Sequence, residues 1–158
     1  MKNRFLALLL TVIIAVMALG SCGYLFGDVA EGGEVTVAVE NSDGSYEVFD
    51  VYLEKVENKN EGAKGIIEHL RGRENDGLYV KMVDSTYGAY VSEIGGIKED
   101  FDTKMYVIVY TSVASDSYEG APTVDYKGTT MYQAGVGLSG MSVEEGAVIL
   151  FRLEKSPY

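Results

Sequence analysis

The chain has 158 residues, 47% of them hydrophobic, with 24 acidic against 13 basic side chains, a formal charge of −11 and a single cysteine. A field of that sign repels nucleic acid and anionic headgroups, and one thiol excludes an intrachain disulfide. Twelve tyrosines, no tryptophan and only two prolines suit half-buried sheet better than a helical bundle.

The first element is a leader. Lys2 and Arg4 precede an apolar run over residues 5–19, interrupted by Thr11, and Leu19-Gly20-Ser21-Cys22 closes it. At roughly 15 residues the run is short of the ~20 needed to span a bilayer as a permanent helix, so residues 1–21 read as a cleaved signal peptide. The closing tetrapeptide resembles the lipobox of bacterial lipoproteins. That resemblance implies cleavage before Cys22, thioether lipidation of Cys22 and acylation, for example with palmitate, of the new amino terminus. The mature protein is then expected outside the cytoplasm, lipid-anchored to the bacterial cell membrane. Anchoring by acyl chains suits an acidic chain that lacks a basic patch. Loss of the leader leaves a length ordinary for one domain and raises the net negative charge, because Lys2 and Arg4 leave with it.

Residues 22–33 mix glycine with acidic side chains and have no period; they are expected to be the lipidated tether, with Tyr24, Leu25 and Phe26 near the membrane. The domain proper is placed at 34–158. Residues 34–40 alternate, Val35, Val37 and Val39 on one face, and Asn41-Ser42-Asp43-Gly44 turns the chain into a second strand over 46–56. Ala63, Ile66, Ile67 and Leu70 form one helical stripe, with Asn58 or Asn60 as a cap and Gly72 as a left-handed stop. Strands follow over 78–83 and 89–94, then a charged loop over 98–104. Met105-Tyr106-Val107-Ile108-Val109-Tyr110 is apolar or aromatic on both faces and is expected at the centre of the sheet. Residues 112–128 read as a long surface loop, 129–133 as a strand, 135–140 as a glycine-punctuated connection and 147–154 as the last strand. The pattern predicts one α+β domain, a mostly antiparallel sheet covered by a single helix.

From residue 62 onward this order resembles the C-terminal domain of transcobalamin and intrinsic factor, and bacterial domains similar to it. The likeness is carried by Ile66-Ile67-Glu68-His69-Leu70, by Gly88-Ala89-Tyr90-Val91-Ser92-Glu93-Ile94-Gly95-Gly96, by the 105–110 strand, by Val136-Gly137-Leu138 and by residues 141–151. The family usually has Trp where this chain has Tyr106 and Gly-Asp where it has Gly146-Ala147, and residues 112–133 exceed the family's connection. In its cobalamin-binding members the aromatic strand contacts the corrinoid, so the resemblance implies Tyr106, Val107, Ile108 and Tyr110 as ligand-binding residues.

Other signals have plainer readings. Gly135-Val136-Gly137-Leu138-Ser139-Gly140 matches a dinucleotide fingerprint, yet no helical pattern follows it, so the glycines serve a turn. His69, the one histidine, stands on the polar border of the helix with nothing to complete a metal site. Glu99, Asp100 and Asp102 lack calcium-loop spacing and read as a solvated acidic loop. No nucleophile, base and orienter assemble from this inventory, so no enzyme and no required cofactor are expected. The expected function is non-catalytic binding of a small molecule, a corrinoid or another cofactor, for delivery to a membrane transporter. The alternative is a protein-interaction or adhesion module serving as an accessory subunit of a surface complex.

Overall fold

A computed structural model describes residues 26–155 of the protein. The elements are β1 (Glu34–Glu40), β2 (Tyr46–Tyr52), α1 (Ala63–Arg71), β3 (Val80–Val83), β4 (Tyr90–Ile94), β5 (Ile97–Lys98), β6 (Met105–Thr111), β7 (Thr123–Tyr126), β8 (Thr129–Gln133) and β9 (Val148–Lys155). Six strands form one sheet in the order β2-β1-β9-β6-β8-β7, and β3-β4-β5 form a second. The domain is α+β. Every pairing is antiparallel except β1 with β9, where Thr36 to Val39 run parallel to Val148 to Phe151.

The period-2 pattern of the large sheet divides its side chains between two cores. On the inner face Val35, Val37, Val39, Val51, Ile149, Phe151 and Val107 meet Ala63, Ile66, Ile67 and Leu70 of α1 and Val80, Val91, Ile94 and Ile97 of the small sheet. On the outer face Ala38, Leu150 and Tyr110 meet Met131 and Tyr126. The outer core exists because the β7–β8 hairpin folds over. β8 shares only the pairs Tyr110–Gln133 and Thr111–Tyr132 with β6. Beyond them the sheet curls so far that Tyr126, on one edge strand, packs edge to face on Tyr46 of the opposite edge strand, with ring centroids 5.0 Å apart. Flat strands at ~4.8 Å spacing would hold those edges about 24 Å apart.

Four expectations change on this evidence. The second strand stops at Tyr52, because Leu53 donates its N–H to the Gly33 carbonyl and a 3-10 turn, Leu53–Lys55, takes over. α1 is capped by tertiary carbonyls rather than an asparagine: Ala63 donates to Met141 O, and Gly62, at φ 60, holds the N-cap position with no side-chain bond. Gly72 is right-handed, φ −80, since the chain continues into a turn in which Leu78 donates to the Leu70 carbonyl. Residues 112–128 are not one loop, for they contain the 3-10 turn Ala114–Asp116 and β7.

The start of the domain is also earlier than its first strand. Residues 27–30, expected in the tether, already lie along the folded body: Gly27 donates to Ser139 O, Ala30 to Val143 O, and Val143 returns a bond to Asp28 O. A Cβ on Gly27 would stand 2.0 Å from Met141 O, so the backbone fits there only as glycine. The signal peptide and Cys22 lie outside the described residues.

Ile67 is fully buried in the inner core, while Arg71 is exposed at the end of the same helix. Ile67→Ala is expected to cost about 2–5 kcal/mol and Arg71→Ala well under 1 kcal/mol. Urea melts of both variants check this, and similar small losses would remove α1 from the core.

Candidate functional site

The sheet narrows toward one end. β1 pairs with β9 only as far as Val39–Phe151, and β8 leaves β6 below Tyr110, so β6 and β9 run on together as a two-stranded ribbon from Ile108–Arg152 to Met105–Lys155. The open edge of β6 is partly closed by reciprocal backbone bonds between Asp100 and Met105; beside it, burial holds the Glu99 carboxyl above its ordinary range, opposed by the Val107 backbone N–H. Beside the ribbon lies a groove of about 470 Å³, lined by Met105 and Leu153 from the ribbon, Ile97 of β5, Glu40, Arg152 and the turn residues 41–44. Three of its lining side chains are apolar and the rest are charged or belong to the polar turn.

The side chains implied as ligand contacts separate by strand parity. Val107 points inward and is buried in the main core. Tyr106, Ile108 and Tyr110 share the outer face. Tyr110, 2% exposed beneath the hairpin, donates from its hydroxyl to Glu154 Oε1 at 3.0 Å. Burial, and then the Glu154 carboxylate, push its pKa up to about 12, so it stays a neutral donor. Ile108 is half-buried opposite Arg152. Tyr106 is half-buried with its ring packed edge-on against Phe101, centroids 5.9 Å apart. Of the four, then, Tyr106 and Ile108 keep surface at the ribbon, Tyr110 supports it from below, and Val107 faces the other way.

Sequence reasoning missed Arg152, which joins the face to the groove. Its guanidinium is ion-paired with Glu40 through Nε at 2.5 Å and with Glu154 through Nη1 at 3.3 Å, and it lies 6.0 Å from the Tyr110 ring centroid. The signal was a single cation in an otherwise apolar strand, Val148-Ile149-Leu150-Phe151-Arg152-Leu153, where period 2 puts it on the outer face. Two carboxylates around one guanidinium leave a net negative, half-buried cluster.

The remaining candidates fall elsewhere. His69 lines a separate pocket with Glu57, Asn58, Glu68 and Arg73, and its pKa is lowered by burial and then by Arg73. Asp100 is occupied by its own loop, accepting from the Asp102 N–H and the Thr103 hydroxyl. Among the described residues no three His, Cys, Asp or Glu side chains gather to hold a metal ion. The fingerprint glycines lead into a three-residue 3-10 turn, Leu138–Gly140, rather than a phosphate-binding helix.

No protein-family model matches this sequence, and no curated protein sequence matches it. Solved structures do share the fold. A proposed metal-binding protein from Ruminococcus gnavus matches with a TM-score of 0.52 and 13% identity, over 78% of this chain and 98% of that one. Haptocorrin in complex with Cbi matches with a TM-score of 0.52 and 14% identity, over 78% of this chain and 25% of haptocorrin. The chain therefore spans about a quarter of haptocorrin's length, and at these identities the likeness is one of fold.

Truncating Arg152 strands two half-buried carboxylates. Arg152→Ala is expected to destabilise the domain by about 1–3 kcal/mol, with Arg152→Lys recovering only part, since an ammonium cannot present two fixed donors. Urea midpoints of the two variants decide it; a neutral Arg152→Ala would show that the cluster is solvated.

Proposed function

We propose that this protein is a lipid-anchored, extracytoplasmic binding protein that holds a small molecule without transforming it, and that the ligand occupies the groove beside the ribbon and reaches round Arg152 toward Ile108 and Tyr106, which lie on the outer face and do not themselves line the groove. The observation that carries the reading is the groove: about 470 Å³, apolar along Ile97, Met105 and Leu153, with Arg152 and two acidic side chains at its rim. That is the size of a site for a compact organic ligand, with an apolar strip to pack on and several polar groups to fix orientation. A fold shared with haptocorrin, captured with Cbi, supports a corrinoid or a similar flat cofactor as the ligand class. Tyr106 supplies a ring already held by Phe101, so little entropy is lost when a planar ligand packs on it.

The non-catalytic part of the reading rests on chemistry. Tyr110, with its pKa near 12, is no base at neutral pH, Arg152 is ion-paired, and the sole histidine lines another pocket. Delivery to a membrane transporter and attachment through Cys22 rest on the leader and its Leu19-Gly20-Ser21-Cys22 boundary.

Calorimetric titration of the mature domain with cobalamin and cobinamide tests the ligand. Binding by wild type, weakened tenfold or more in Tyr106→Ala with the urea midpoint nearly unmoved, is the expected result. Absence of heat with either corrinoid removes that ligand class, and a folded Tyr106→Ala that binds like wild type removes the site. The anchor is tested by Cys22→Ser, which is expected to move the protein from the membrane to the soluble fraction and abolish metabolic acyl labelling.

A further inference from the structure

We infer that the domain rests on the bilayer through a second contact, made by the turn at residues 85–88 and the loop at 135–137. This rests on the reading of Cys22 as the lipid anchor and adds to it the orientation of the domain. Four peptide steps separate Cys22 from Phe26. At about 3.3–3.6 Å each, the two α-carbons are never more than about 14 Å apart. A thioether-linked lipid holds Cys22 at the headgroup layer, itself roughly 5–8 Å thick on each side of the hydrocarbon. Whatever surrounds the point where the chain joins the fold is therefore kept within about 14 Å of Cys22, roughly two headgroup layers.

That point is built from three backbone segments joined to one another. Gly27 donates to Ser139 O at 3.0 Å, and Ser139 Oγ accepts from the Ala89 N–H at 3.3 Å. Leu138 donates to Ala89 O at 2.8 Å, and Gly137 to Tyr87 O at 3.0 Å. The approach is so close that a Cβ on Gly137 would lie 2.6 Å from Tyr87 O. The turn is rigid, closed by reciprocal bonds between Ser85 and Gly88 and by Ser85 Oγ to Gly88 O at 2.7 Å.

On this rigid junction the exposed side chains are apolar or amphipathic. Tyr87 is 87% exposed, Phe26 53% and Val136 43%. A tyrosine held so far out of a domain gains nothing from packing, whereas at the headgroup level its ring meets acyl carbon and its hydroxyl meets water. The ionisable neighbours in sequence, Asp28 and Asp84, are acidic, so the attraction is apolar and suits a zwitterionic surface.

The absence of tryptophan from the chain makes the test clean. Full-length protein acylated in cells, carrying Tyr87→Trp as its one indole, is reconstituted into phosphatidylcholine vesicles with and without brominated acyl chains. Val136→Trp provides a second reporter in the same patch, and Ser42→Trp, on the β1–β2 turn at the far end of β1, the control. Flotation with the vesicles and at least twofold quenching by bromolipid at Tyr87→Trp or Val136→Trp, with Ser42→Trp unquenched, is the expected result. Protein that floats with all three indoles unquenched, or all three quenched alike, overturns the docking face while leaving the anchor. Protein that fails to float overturns the anchor and the docking face together.

Discussion

The structure depends on one insertion: β9, the last strand, fills the slot between β1 and β6. It makes seven registered pairs with β6 and four with β1, the one parallel contact of the large sheet. Without it the β1–β2 hairpin has no partner and neither core has a floor, since Ile149 and Phe151 belong to the inner core and Leu150 to the outer. The join is expensive in chain entropy, because β1 and β9 are separated by nearly the whole domain and their contact cannot reward the chain until everything between them is placed. The long sequence separation of this pairing favours closure of the sheet after the local hairpins have formed.

The curl of that sheet decides which tyrosines are free for function. Tyr126 and Tyr46 lie on opposite edge strands, and their contact bends the β7–β8 hairpin over the outer face, burying Tyr110. Once buried, the Tyr110 hydroxyl needs a partner, Glu154 supplies it, and Glu154 in turn needs Arg152. Arg152 then draws in Glu40 from β1. The polar cluster is the consequence of covering one aromatic ring, and it leaves Ile108 and Tyr106, one and two pleat repeats before Tyr110 on β6, only half covered.

Much of this was legible in the residues. Alternation located β1 to the residue, the i, i+3, i+4, i+7 stripe located α1, and apolar side chains on both faces marked Met105–Tyr110 as interior, a strand that runs one residue further, to Thr111. The failures have physical causes. β7 was hidden because its hairpin uses Lys127 and Gly128, at φ 51 and 86, in place of the Asn-Gly pair that advertises such a turn. The N-terminal segment read as tether because its bonds are backbone bonds to residues 139–143, invisible to any side-chain pattern. The four side chains implied as ligand contacts do not share a face for a related reason: they are neighbours in sequence, but a strand shows alternate residues to opposite faces, and Val107 had to go inward.

The same parity argument orders the domain end to end. The chain joins the fold at Gly27, below the start of β1, whereas the groove opens at the β1–β2 turn, past the strand's other end. Seven residues of extended chain put roughly 20 Å between those levels. With a lipid on Cys22, the rim formed by Glu40, Asp43 and Arg152 faces away from the bilayer and toward solution. Under the proposed reading, that placement suits capture of a solute from solution better than passing one directly into the membrane beneath.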